Sequence, residues 1–121
     1  MADKLTPRQL AQLEVLENLL PKFETLHRLI EEIAGLRADE NAIRRLCRIV
    51  DEGKAATNSL GLTALSETLG IMGTLARRGG GVQMRVRGLR EGLASLKTNY
   101  EGALRAAKTA VPEGGPPRET P

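Results

Sequence analysis

Three groups of residues carry atoms reactive or charged enough to do chemistry. The first is a pair of singletons, His27 and Cys47, the only histidine and the only cysteine of the chain. An imidazole can serve as nucleophile or general base, and a thiol as nucleophile or redox centre. Neither stands in a Ser/His/Asp or Cys/His set. His27 therefore reads as an ordinary surface histidine on a helix flank, and Cys47 as a small apolar filler. The second group is Asp51-Glu52-Gly53-Lys54. Adjacent carboxylates on a helix point about 100° apart, which is poor geometry for sharing a metal ion, and the sequence has no other cluster of metal ligands. No metal and no cofactor are expected. The third group is Arg77, Arg78, Arg85, Arg87 and Arg90, a run of cations with no acid until Glu91. A solvated helix end is the default reading of such a run, and a docking patch for an acidic protein is the alternative. Gly79-Gly80-Gly81 follows a helix and lacks the G-x-x-x-x-G-K-[ST] pattern of a phosphate loop. Enzymatic catalysis is not expected.

These groups must be carried by helices. The chain has 121 residues, enough for one domain with a modest core, and is 40% hydrophobic but only 2% aromatic. The core must therefore be aliphatic, and the recurrence of Leu, Ala, Arg and Glu favours helix. No apolar run approaches the ~18 residues of a membrane span, and no signal-peptide pattern opens the chain. With a single cysteine there is no internal disulfide, and a cytoplasmic protein that does not engage the membrane is expected. Formal net charge is +3 with a pI near 9.4, a mild bias that suits an acidic protein partner. Nucleic acid is not an expected partner. No helix-turn-helix or zinc pattern occurs, and Phe23 and Tyr100 read as core residues, leaving no stacking platform.

Along the chain, Thr6-Pro7 is a helix start, followed by Leu10, Leu13, Leu16 and Leu20. Pro21 is expected to end or kink that helix, so residues 1–20 form an N-terminal helix that caps the bundle or extends its first member. Phe23, Leu26, Ile30 and Ile33 mark the next helix, to about Arg37. Asp39 is the expected N-cap of a helix whose buried seam is Ile43, Leu46, Val50, Gly53, Thr57 and Leu60. Leu60-Gly61-Leu62 is a turn in which the glycine takes the left-handed conformation. Another helix starts near Thr63, read as its N-cap, and faces inward with Leu65, Leu69, Met72 and Ala76. The last carries Val82, Val86, Leu89, Leu93, Leu96, Tyr100, Ala103 and Ala107. Residues 111–121 are rich in Pro and Gly and are expected to be a disordered tail. The expected fold is all-α, an antiparallel four-helix bundle over residues 21–110 with the additional N-terminal helix.

On the helix before the turn, Asp51 lies roughly 130° from the centre of the buried seam, beside Arg48, Ala55 and Asn58, and should point to solvent. The stretch from Cys47 to Gly79 resembles the core of a histidine phosphotransfer (HPt) domain, closest to the N-terminal phosphotransfer domain of chemotaxis histidine kinases. That family carries H-x-[LI]-K-G, four variable residues, an [LF]-G turn and a second amphipathic helix. Counting back from Leu60-Gly61 aligns Lys54 with the family lysine and Ala55 with the small residue after it, while the phospho-accepting histidine falls on Asp51. The family's second histidine and its glutamate, on the following helix, fall on Gly70 and Gly73.

The resemblance implies an HPt-type bundle whose acceptor position is degenerate. Aspartyl phosphorylation at Asp51 is not expected, since it relies on a metal held by neighbouring carboxylates and Glu52 is the only adjacent acid. Glycine inside a helix costs about 1 kcal/mol relative to alanine, so Gly70 and Gly73 need a reason. Either constraint was relaxed once catalysis was lost, or they form a smooth groove for a partner. The function implied is a non-catalytic protein-protein interaction module. Its expected partner is a receiver-domain response regulator or a histidine kinase, met through Arg48, Asp51, Glu52, Lys54, Ala55, Asn58, Gly70 and Gly73. Two alternatives stand beside it: an active phosphotransfer protein using His27 or Asp51, and a helical scaffold that forms homodimers through its last helix. A monomer is otherwise expected.

Overall fold

The computed structural model describes residues 4–35, 40–78 and 81–109. They form four helices: α1 (Pro7–Ala34), α2 (Glu40–Ser59), α3 (Thr63–Arg77) and α4 (Val82–Lys108). Helix α1 packs on α2 and α4, and α3 packs on the same two, so the helices make a ring around one aliphatic core. Residue pairs show the directions. Along the α1–α4 contact Gln9 meets Thr109, Phe23 meets Tyr100 and Glu31 meets Arg90, so these helices run in opposite senses. A β-carbon placed on Gly53 would meet Leu69, and one on Gly73 would meet Val50, which gives α2 and α3 the same relation. The described chain is an all-α bundle, as its composition and periodicity predict.

Pro21 does not end the first helix. Residues 7–34 form one helix of 28 residues with Pro21 inside it, so the N-terminal segment extends the first bundle helix, and among the described residues no separate helix caps the ring. The buried stripe explains this: Leu16, Leu19, Phe23, Leu26, Ile30 and Ile33 follow one another in steps of three and four across the proline. Pro21 itself is exposed, as is Glu17 one turn earlier, so the carbonyl deprived of its amide partner can be hydrated. The leucines spaced along the start of this helix are not all inside. Leu10 and Leu20 are 56% and 51% exposed, whereas Leu16 and Leu19 are buried. The start at Thr6 is as expected, and Gln9 completes a capping box with it, the Gln9 amide donating to Thr6 Oγ1 at 3.0 Å and the Thr6 amide to Gln9 Oε1 at 2.8 Å.

Helix α2 buries Leu46, Val50 and Thr57, with Ile43 and Leu60 half-buried at the ends of the seam. It ends where predicted. Gly61 has φ of 73°, its amide donates to Asn58 O at 3.1 Å, and the Leu62 amide donates to Thr57 O at 2.9 Å. These two bonds are the Schellman pattern that satisfies the last carbonyls of a helix. Thr63 is the first residue of α3 and not its cap. Leu62 takes the cap position without a side-chain hydrogen bond, and the Thr63 hydroxyl donates to Gly61 O. Leu65, Leu69, Met72 and Ala76 are buried on α3, and Val86, Leu89, Leu93, Leu96, Tyr100 and Ala107 on α4. A β-carbon on Gly92 would lie 2.7 Å from Met72 Cγ, so α4 can approach α3 this closely only where the side chain is missing. The Asp39 cap, the helix end near Arg37, the triplet's Gly79 and Gly80, and the tail at 111–121 lie outside the described residues.

Candidate functional site

Helical periodicity carries Asp51 to the surface of α2, and the Gly61 turn sets which part of α3 lies beside it. Arg48, Asp51, Glu52, Lys54, Ala55 and Asn58 are all exposed on α2, whereas Gly70 is half-buried and Gly73 buried on α3. The two glycines are not an open groove. A β-carbon on Gly70 would lie 3.4 Å from Cε and Nζ of Lys54, so the lysine stem crosses the bare backbone. A β-carbon on Gly73 would lie 3.1 Å from Arg77 Nη1 and 3.7 Å from Asp51 Oδ1. Each glycine is a seat for a long cationic side chain, a role that neither reading from sequence anticipates.

Arg77 is the residue that sequence reasoning missed here, having grouped it with the arginine run at the end of its helix. Its Nη2 donates to Asp51 Oδ2 in an ion pair that joins α3 to α2. Side chains on a helix lean toward its N-terminus, so Arg77 reaches back one turn, over Gly73, to the carboxylate. The signal present in the sequence was an arginine four residues after a glycine that faces Asp51. The hydrogen bond to Asp51 holds the Arg77 guanidinium above its ordinary pKa. Both side chains are 53% exposed, and a pair so open to solvent contributes little to stability.

A shallow depression beneath this pair is bordered by Arg44, Cys47, Arg48, Glu52 and Arg85. Cys47 is buried. Burial raises its pKa, and the nearby Arg77 charge only partly opposes that, so the thiol is held protonated and behaves as the filler expected. Lys54, Asn58 and Gly70 border a second depression, together with Ile71, which is 59% exposed. Ala55 borders neither of these depressions. Glu52 also edges an apolar groove between α1 and α2 formed by Val15, Leu19 and Ile49.

The remaining chemical groups do not converge. His27 is exposed on α1, beside the exposed Leu20 and the α4 residue Lys97. Phe23 and Tyr100 pack edge to face with centroids 5.2 Å apart and are buried, so neither offers a stacking surface. The arginine run is dispersed among partners: Arg87 pairs with Glu91 at 3.8 Å, Arg90 with Glu31 at 2.8 Å, and Arg85 donates to the Arg78 carbonyl. Among the described residues no group of three His, Cys, Asp or Glu could hold a metal ion, and no helix is long and apolar enough to cross a membrane. In comparisons with known proteins, no family model, no curated protein and no solved structure matches the chain.

Proposed function

We propose that this protein is a non-catalytic, HPt-like interaction module. It docks a receiver domain or a chemotaxis-type histidine kinase through α2 and the neighbouring face of α3, and modulates two-component signalling without relaying phosphoryl groups. One observation carries the reading. The four positions to which the HPt resemblance assigns the polar machinery, Asp51, Lys54, Gly70 and Gly73, lie against one another across α2 and α3, with Asp51 exposed where a partner can reach it. A carboxylate paired with an arginine lacks the nucleophilic nitrogen of an imidazole, and the two glycines supply no side chain to orient or polarise an acceptor.

The test uses purified receiver domains and chemotaxis-type kinases from the source organism. Direct binding is expected, with Ala55→Trp and Asn58→Trp each weakening it by about tenfold or more, equivalent to ~1.4 kcal/mol. Ser95→Trp should leave binding unchanged, because Ser95 is exposed on α4, a helix that does not pack on α2. With kinase and labelled ATP, neither the natural chain nor Asp51→His is expected to acquire durable label. Durable label that disappears in Asp51→Asn would overturn the non-relay reading. Equal loss in all three tryptophan variants would move the interface off α2.

A further inference from the structure

We propose that the arginine-lined depression beneath Asp51 recognises carboxylate side chains on an acidic protein partner, and that Asp51 is its internal occupant, exchanged for a partner carboxylate on docking. The idea deepens the reading above and rests on it for the class of partner. Arg44 and Arg48 come from α2, Arg77 from α3 and Arg85 from α4, and all four border the same depression. Two of them already hold carboxylates of this chain, Arg77 that of Asp51 and Arg44 that of Glu40 at 2.9 Å. The other two have capacity to spare. Arg48 is exposed and makes no ion pair with a described residue, and Arg85, whose Nη2 donates to the Arg78 carbonyl, keeps a buried Nε with no hydrogen-bond partner among the described residues.

The chemistry of the ligand is read from what the forks hold now. A guanidinium can match a carboxylate with two parallel donors, and Arg77, lying over Gly73, already donates to one from Nη2 in this pose. Both members of that pair are half-exposed, so replacing one carboxylate by another changes little solvation and the exchange is cheap. A nucleic acid fits less well, because Phe23 and Tyr100 are buried and leave no aromatic face on which a base could stack.

The probe is a hexaglutamate peptide titrated into the full chain at low salt by calorimetry. The natural protein should bind it. Asp51→Asn, which removes the internal competitor, should tighten binding by about two- to fivefold. Arg77→Gln and Arg48→Gln should weaken it, and Arg105→Gln, exposed near the far end of α4, should not change it. The gain in Asp51→Asn is a readout that misfolding cannot imitate. Unchanged or weaker binding by that variant would overturn the proposal, as would equal losses at Arg77 and Arg105. Inorganic phosphate binding with the same order of variants, in place of the peptide, would also overturn it by making this a small-oxyanion site. If receiver domains and kinases fail to bind but the peptide series behaves as expected, the partner class falls and the carboxylate site stands. If they bind while Asp51→Asn gains nothing for the peptide, the opposite holds.

Discussion

At the scale of single residues, the candidate site consists of two glycines and the cations that lie over them. Lys54 crosses Gly70, and Arg77 crosses Gly73 to reach Asp51. An added side chain at either position would have to displace an aliphatic stem or a guanidinium. The helix tolerates glycines that cost about 1 kcal/mol each in propensity, and the cations that fill their space belong to the same face. Cys47 borders this face, and its chemistry is suppressed by burial. At 9% exposure and with its pKa raised, the thiol should react with an aromatic disulfide reagent at neutral pH at least about tenfold more slowly in the native protein than in denaturant. Equal rates in the two states would show that α2 opens freely around Cys47.

At the scale of elements, α1 shows how tertiary burial overrides a local rule. A proline in a helix interior is about 3 kcal/mol less favourable than alanine, yet the helix passes through Pro21 because an unbroken buried stripe flanks it. Pro21→Ala should therefore stabilise the protein by about 1–3 kcal/mol, measured by urea denaturation. A destabilised variant would mean that the proline ring makes a contact the helix depends on. The turn between α2 and α3 is the opposite case. There a local preference, glycine at φ of 73°, agrees with what the bundle requires, and it sets the register that brings α3 beside Asp51.

At the scale of the molecule, the ring of helices closes where α1 meets α4. Gln9 Nε2 donates to Thr109 O at 2.6 Å at one end of this contact, and Arg90 grips Glu31 at the other, Nε to Oε2 at 3.0 Å and Nη2 to Oε1 at 2.8 Å. The hydrogen bond from Arg90 is the main reason that the Glu31 carboxyl lies below its ordinary value of 4.5. A carboxylate whose folded pKa is depressed stabilises the fold above its unfolded pKa and loses that contribution as pH falls through the folded one. Glu31→Gln should thus lower the melting temperature at neutral pH, with the difference from the natural protein shrinking as the pH falls below 4.5. A difference that persists undiminished in acid would show that packing of the Glu31 stem, and not its charge, is what joins the two helices.

The features legible in the sequence are those governed by neighbours along the chain. Apolar spacing disclosed the buried faces of α2, α3 and α4, Thr6-Pro7 the start of α1, and Gly61 the turn, since each depends on backbone geometry within one or two helical turns. The outward direction of Asp51 follows from the same periodicity. The remaining features were decided by tertiary structure. Pro21 reads locally as an end or a kink, whereas the buried stripe that carries the helix through it is completed only by packing on α2 and α4. Thr63 has a side chain able to cap a helix, but the turn delivers Leu62 to that position. The Asp51–Arg77 pair spans 26 residues, and the cover of Gly70 by Lys54 spans the same helix–turn–helix. Both depend on where a long, flexible side chain lands once two helices are in register, a quantity that no local pattern encodes.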